Sequence, residues 1–316
     1  MALDITHLAA HALEKHSKEI ADAIIEHNFL SAWLKASNRV KVLDGGRNFH
    51  EKVIFSELGG FDWINKSEEI ALGTNDYLTD AVYDIRILAG PLKIYDLDKQ
   101  MAQSESQAAD FVETILETAK STMSNKMGVA VFNDGTNTKA LHGVRSLINA
   151  TAGQTVGGID SSTYTWWDNQ RDTSGTAAFN TNQDGIKMMD AMMAACAGND
   201  HDFPDVIVTT SAVQTLFQLS TTNVTRLVDT KVGKLGYRAL DFKGTPVAWD
   251  HNCPAGYMYY VNSRYMFLRL LRGGEFVTSS WERVQGQLAD YCTMHVYTQL
   301  TTNNRKKLGV ITSITG

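Results

Sequence analysis

The sequence predicts an α+β chain in which a projecting two-stranded hairpin is followed at once by a long helix. Three patterns predict it. Between residues 49 and 94 two strand-like arms flank a polar middle. From about residue 104 apolar residues recur every three or four positions as far as Gly128. After Gly244 the two-residue rhythm of strands dominates.

The elements follow in order. Residues 4–36 are helix-rich, with Ile5, Leu8, Ala12, Ile20, Ile24 and Ile25 on an apolar side and charges between them, so they form an amphipathic arm. The first hairpin arm, Phe49-His50-Glu51-Lys52-Val53-Ile54-Phe55, ends at Gly59-Gly60, and the second runs over residues 79–89. Between them Asp62, Asn65, Lys66, Ser67, Glu68, Glu69, Thr74, Asn75 and Asp76 are broken only by a few apolar residues such as Trp63, Ile64 and Leu72. Ordering one residue costs about 1–2 kcal/mol, and a lone two-stranded ribbon rarely recovers that sum, so the missing contacts point to a second copy of the chain. The same segment also suits a surface loop on a monomer or an insertion that stays disordered, and composition alone leaves these readings level.

Ser104 and Gln107 have capping-box spacing, in which each side chain satisfies a backbone donor of the first turn. Ala108, Phe111, Val112, Ile115, Leu116, Ala119, Met123 and Met127 then carry a helix to a stop at Gly128. That is a rod of roughly 36 Å. Phe132-Asn133-Asp134-Gly135-Thr136 is turn chemistry, and residues 150–182, rich in Gly, Ser, Thr and Asn, mark a junction. A helix is expected over 184–197, a buried strand over 204–210, a short helix over 211–219, and strands over 245–249, 256–262, 265–271 and 276–283. A closing hairpin is expected from the alternation of Cys292, Met294, Val296, Thr298 and Leu300, a turn at Asn303-Asn304, and a return through Leu308, Val310, Thr312 and Ile314. No internal repeat is present.

At 316 residues with 43% hydrophobic content the chain can bury a sizeable core. A formal net charge of −6 argues against a dedicated nucleic-acid binder with a basic surface, although one face could tolerate polyphosphate. Cys196, Cys253 and Cys292 are odd in number and far apart, which predicts reduced thiols and no disulfide framework. No apolar run reaches membrane-spanning length, and His7, His11, Glu14 and Lys15 occupy the N-terminus where a signal peptide would be apolar. A soluble product made in the cytoplasm is expected.

Catalytic chemistry finds no anchor. His7 and His11 lack the Glu of a zinc-protease helix and read as solvated helix residues. Asn199-Asp200-His201-Asp202 reads as a loop between a helix stop and Pro204, and Asp250, His251 and Cys253 read as a turn before Pro254. Met188, Met189, Met192 and Met193 read as core filling, and phosphate-loop, nucleophile-elbow and dinucleotide motifs are missing. Arg305-Lys306-Lys307 is the densest basic cluster and reads as a solvated turn, or as a contact for phosphates or a neighbouring acidic patch. No catalytic residue, cofactor or metal site is expected.

In its order of segments the chain resembles the major capsid proteins of tailed bacteriophages with the Hong Kong 97 fold. The resemblance rests on the helix over 104–127, on Phe132-Asn133-Asp134-Gly135 followed by His142-Gly143-Val144, and on Pro204-Asp205-Val206-Ile207-Val208-Thr209. Gly244-Thr245-Pro246-Val247, Tyr259-Tyr260-Val261-Asn262 and the end, Thr302-Asn303-Asn304-Arg305 to Gly309-Val310, extend it over nearly the whole chain. It implies an N-terminal arm (1–46), an E-loop hairpin lying on the next subunit (47–90), a P-domain with a spine helix (91–149), a mixed α/β A-domain (150–289) and a P-domain closing hairpin (290–316). Phe49, Val53, Phe55, Trp63, Lys66, Tyr77, Tyr83, Arg86, Arg305 and Lys306 are the subunit-interface residues expected from it.

The function so implied is mechanical: pentamers and hexamers closing into an icosahedral shell around double-stranded DNA, in a virion. The implied partners are the chain itself, a separate scaffolding protein, a portal, a decoration protein, and DNA held without sequence specificity, with no membrane. Some relatives join an E-loop lysine to a neighbour's asparagine with help from a glutamate. Here Lys66 and Asn303 or Asn304 are the candidates, but no acid follows Glu282 except Asp290, so no cross-link is expected. An encapsulin-like compartment and, further off, a soluble α/β enzyme or ligand binder are the alternatives.

Overall fold

The structure is a computed structural model that describes residues 21–69, 75–101, 105–173, 179, 184–220 and 239–315. The expected arm before residue 21, Leu72 and Thr74 of the hairpin, and Ser104 of the expected capping box lie outside the described residues.

Helical residues 21–26 and the helix Phe29–Ala36 lead to β1 (Val40–Leu43), β2 (Asn48–Ile54), β3 (Leu78–Asp84) and β4 (Arg86–Tyr95). A short helix, Asp96–Met101, and the long helix Glu105–Val131 follow, then the small helix Val144–Leu147. Next come β5 (Thr155–Val156), β6 (Ile159–Asp160), β7 (Gln170–Asp172), the helix Asp184–Ala197, β8 (Val206–Thr209) and the helix Ser211–Ser220. The remainder is β9 (Ala239–Phe242), β10 (Thr245–Trp249), β11 (Met258–Val261), β12 (Met266–Leu271), β13 (Val277–Thr278), β14 (Glu282–Arg283), β15 (Ala289–Thr302) and β16 (Gly309–Ile311).

Two six-stranded sheets organise these elements. The first is centred on β15, whose fourteen residues pair with β4 on one side and with β14, β13 and β12 on the other, with β1 added parallel to β12. The second has the order β7-β16-β11-β8-β10-β9. All four residues of β8 are buried because both faces of that strand are covered, as its unbroken Val-Ile-Val-Thr run requires. One face meets the helices 184–197 and 211–220 through Met189, Met192, Met193 and Phe217, so the methionine run fills core. The other meets Phe29, Trp33, Val131 and Phe132.

The helix does not stop at Gly128 but continues to Val131. Glycine is needed there for another reason: a Cβ would lie 2.6 Å from the Asn28 amide and 2.9 Å from Asn252, which cross the helix at that point. Its buried stripe, Val112, Met123, Met127 and Val131, keeps helical spacing, with Val112 packed on Ile94 of β4.

The expected closing hairpin is not formed. β15 lies in the first sheet, whereas β16 pairs with β11 and β7 in the second. The chain changes sheet through a short 3-10 turn, Arg305–Lys307, and Arg305 fixes the change. Its fully buried guanidinium donates to Leu147 O (2.9 Å), Trp167 O (3.1 Å) and Asn169 Oδ1 (3.0 Å), tying two segments to the crossing. Burial with no carboxylate in direct contact brings its pKa down to about 10. Lys307 is buried too, donating to Ala197 O at 2.6 Å and pairing with Asp200 at 3.1 Å. The basic cluster is therefore mostly internal, and only Lys306 faces outward. The sheets also divide the chain differently from the expected segments: β12, β13 and β14 join the first sheet, and β16 joins the second.

Candidate assembly interface

β2 and β3 pair antiparallel over their full length, from Asn48 opposite Asp84 to Ile54 opposite Leu78. Strict alternation sends Phe49, Glu51 and Val53 to one face with Ala81 and Tyr83, and His50, Lys52 and Ile54 to the other. The first face is buried on the chain's own β15. Glu51 receives two hydrogen bonds from the Arg269 guanidinium, 2.6 and 2.7 Å, and a third from Thr301 Oγ1 at 2.7 Å. Tyr83 donates to Thr302 O at 2.9 Å, and its burial pushes the phenol well above its ordinary range. The β5–β6 turn closes on the same strand: Val82 N donates to Gly157 O at 2.9 Å. A Cβ on Gly157, whose φ is +61°, would stand 2.9 Å from Ala81 Cβ.

Phe49, Val53 and Tyr83 therefore belong to the protomer's own core, as Arg305 does, and not to a surface another subunit could touch. A strand alternation identifies a buried face without saying which molecule buries it, and here it is the chain itself. Phe55 is half-buried and stacks on Trp166 with ring centroids 4.9 Å apart, and Arg86 is half-buried beside Asp84 at 3.3 Å. The second arm also ends earlier than expected, at Asp84, because β4 turns away after Ile85 to pair with β15.

Beyond Phe55 the ribbon changes character. Trp63 is 99% exposed and Phe61 85%, with Leu58, Ile64 and Tyr77 about half exposed. Order here comes from local polar bonds: Asp62 accepts from Trp63 N at 2.8 Å, and Glu68 accepts from Asn65 N at 3.0 Å. Trp63, Lys66, Tyr77 and Lys306 are thus the expected interface residues that the structure leaves open. Phe61 was missed, although an aromatic between a Gly-Gly turn and Asp-Trp in a polar stretch is the signal that marks it. Exposed large apolar side chains gathered in one short segment mark an interaction surface.

A second surface lies at the other end of the ribbon. Ile87 of β4 and Val129 of the long helix, 60% and 64% exposed, face a cleft of about 550 Å³ rimmed by Arg86, Lys126, Lys139 and Arg145. Arg145 pairs with Asp134 at 3.5 Å, and Lys126 and Lys139 have no acidic partner among the described residues.

Among the described residues reactive chemistry is not gathered anywhere comparable. Cys253 sits in the turn after Asp250, its amide on Asp250 O at 3.2 Å, and burial raises the thiol far above the range of a nucleophile. Cys196 and Cys292, also buried and free, are pushed up to about 12 and about 11. Asp202 accepts from Asn262, Arg264 and Tyr265, which is loop-fixing chemistry. Among the described residues no cluster could hold a metal ion, and no helix is long and apolar enough to cross a membrane.

No protein-family model and no curated protein matches this sequence. Solved structures do match its fold. The chain is similar to a chain of the cyanophage A-1(L) capsid asymmetric unit, with 16% identity and a TM-score of 0.69 over 90% of this chain and 92% of that one. It is similar to the capsid of a native GTA particle at 11% identity and a TM-score of 0.56, covering 89% and 90%. The holo-SrpI encapsulin complex from Synechococcus elongatus PCC 7942 matches at 10% identity and a TM-score of 0.56, covering 89% and 87%. The self-buried ribbon with its bare tip, the long helix and the two sheets together make this a chain with the Hong Kong 97-type capsid fold.

Proposed function

We propose that this chain is a major capsid protein of the tailed-phage type, assembling through itself into pentamers and hexamers that close into an icosahedral shell around double-stranded DNA. The observation that carries the reading is the ribbon: a base locked into the protomer and a tip with bare aromatic side chains. Tip and cleft sit at opposite ends of a ribbon whose β3 alone spans roughly 23 Å, so a contact between them joins different molecules head to tail. Head-to-tail contacts generate rings when the rotation closes, which is what capsomers are. The negative net charge fits a protein that encloses DNA without gripping it through a basic surface.

In this reading the ribbon is the E-loop, Lys306 and the tip residues Trp63, Lys66 and Tyr77 touch neighbours, and the shell sits in a virion after synthesis in a host cytoplasm. A scaffolding protein, a portal and a decoration protein complete the expected partners. Negative-stain images of the purified chain at high concentration test it: capsomers or closed shells support it, and discrete small oligomers overturn it. The encapsulin match favours a second reading, a self-assembling compartment for a cargo protein. Genome-length DNA inside recovered particles supports the phage shell, and a bound cargo peptide supports the compartment.

A further inference from the structure

We infer that Asp44 is a site of spontaneous covalent modification, where the Gly45 amide nitrogen attacks the Asp44 side-chain carboxyl carbon and the peptide bond between them becomes an isoaspartyl linkage. Glycine after aspartate permits this closure, because no Cβ shields the attacking nitrogen. The chain holds three Asp-Gly pairs, Asp44-Gly45, Asp134-Gly135 and Asp184-Gly185, which the sequence leaves equivalent and the structure separates.

At Asp184-Gly185 closure is blocked. The Gly185 amide donates to Phe179 O at 3.0 Å in the first turn of the helix Asp184–Ala197, and an added Cβ would lie 2.5 Å from that oxygen. At Asp134-Gly135 the carboxylate is held elsewhere. It accepts from Thr136 N at 3.0 Å and Thr136 Oγ1 at 2.6 Å, and these bonds keep its carboxyl below the usual carboxylate range, in the ionised form that resists attack. Asp44-Gly45 has neither restraint. It lies in the link between β1 and β2, and the Gly45 amide donates to no group among the described residues. A Cβ built on Gly45 would meet nothing within 4 Å, so a ring closing there has room, and Gly45 and Gly46 at φ +144° and +123° leave the link without side chains to hinder it. The Asp44 side chain is 75% exposed and its partner Arg272, at 2.5 Å, is 68% exposed; an ion pair so open to water is a weak restraint.

The step balances with water alone. The Gly45 nitrogen loses its proton and bonds to the Asp44 side-chain carboxyl carbon, one carboxyl oxygen leaves as water, and a succinimide ring results. Water then opens the ring at either carbonyl. One opening restores aspartate; the other routes the backbone through the side-chain carbon, adds one methylene to the link between β1 and β2, and turns the former main-chain carbonyl into the free carboxylate. The ribbon base stays in place, since Glu51 on Arg269 and Tyr83 on Thr302 fasten it independently of this link.

Peptide mapping of the full chain after long incubation in mildly acidic buffer tests the site, with fragmentation that distinguishes the two linkages and labelling by an isoaspartyl carboxyl methyltransferase. The succinimide and isoaspartyl forms should accumulate at Asp44 at least tenfold faster than at Asp134 or Asp184, with heavy oxygen from the solvent entering Asp44 and not the other two. Asp44→Glu, which would demand a larger ring, should reduce the signal there to background. Thr136→Val, which removes a hydrogen bond from the Asp134 carboxylate, should raise it at Asp134. In the urea-unfolded chain the three pairs should react at similar rates, because the fold alone separates them. A folded chain that modifies Asp134 or Asp184 as fast as Asp44, or that leaves Asp44 intact while the unfolded chain reacts there, overturns the assignment.

Discussion

The base and the tip of one ribbon have opposite energetics. In the base, alternate residues of β2 and β3 reach β15, and a carboxylate, a phenol, a phenyl ring and two aliphatic side chains are removed from water with both carboxylate oxygens of Glu51 bonded. In the tip, the largest apolar side chains face water, and hydrogen bonds reach only a few residues along the chain. The difference teaches that a protruding element need not be marginal throughout. A rigid base presents an unsatisfied tip at a fixed place, which lowers the ordering cost that a partner must meet.

The largest effect that could break this contrast is at Glu51. Glu51→Ala leaves the Arg269 guanidinium, 12% exposed, without its partner, and loss of one member of a buried pair costs roughly 3–5 kcal/mol. Urea unfolding of the protomer should show that loss, a large part of a typical domain's stability. Glu51→Leu with Arg269→Met should recover most of it, since apolar replacement of a whole pair is often neutral. If Glu51→Ala is silent, the base is not held by the protomer.

Gly157→Ala comes next. Alanine at φ +61° costs about 1–2 kcal/mol from the left-handed backbone alone, and its methyl would press on Ala81. A loss of about 1–3 kcal/mol in the same unfolding measurement is expected, again from the base.

How much of this was legible follows the same division. The two arms announced extended chain, and the run of polar residues after Gly60 announced a tip, because both signals are local. What buries a face is not local. Glu51 sits at an inward position where a carboxylate reads as a break in the pattern, and only Arg269 and Thr301, more than two hundred residues away, explain it. Arg305 failed for the same reason: Asn-Asn-Arg-Lys-Lys is hairpin chemistry by composition, yet three acceptors from residues 147, 167 and 169 draw the guanidinium inward and send the next strand to the other sheet. The long helix ran past Gly128 because a close crossing by Asn28, not a helix end, selects that glycine. The interface residues divided likewise: Trp63, Lys66 and Tyr77 in the tip stay exposed, Phe49, Val53 and Tyr83 in the arms are internal, and Phe55 and Arg86 lie between.

Acid sharpens the contrast by a smaller amount. His142 lies beside Tyr83, ring centroids 6.2 Å apart, with its amide on Gln299 Oε1 at 2.6 Å. Burial holds its pKa below the ordinary 6.5, reinforced by Arg86 and opposed by Asp84. A histidine with a depressed folded pKa binds its proton more readily when unfolded, so stability falls as pH drops below about 6.5 and the loss levels off once the folded form protonates. Protection factors of the β2 and β3 amides, which correct exchange rates for their intrinsic pH dependence, should therefore fall between pH 6.5 and 5, and His142→Gln should flatten that slope. An unchanged slope would remove His142 from the account.

The smallest effect expected on the protomer is at Trp63, and it is the most discriminating. Its side chain is 99% exposed and buries nothing, so Trp63→Ala should alter unfolding of the dilute chain by no more than about 0.5 kcal/mol. The same substitution should abolish or strongly weaken assembly, where truncating a tryptophan anchor costs about 2 kcal/mol or more. Hydrogen exchange gives the matching picture without any substitution. In dilute protomer the amides of residues 56–69 should exchange close to the rate of an unstructured peptide, while those of β2 and β3 are protected; in assembled particles both sets should be protected. A tip already protected in the isolated chain would mean that its order comes from within the molecule, and the partner would then have nothing left to supply.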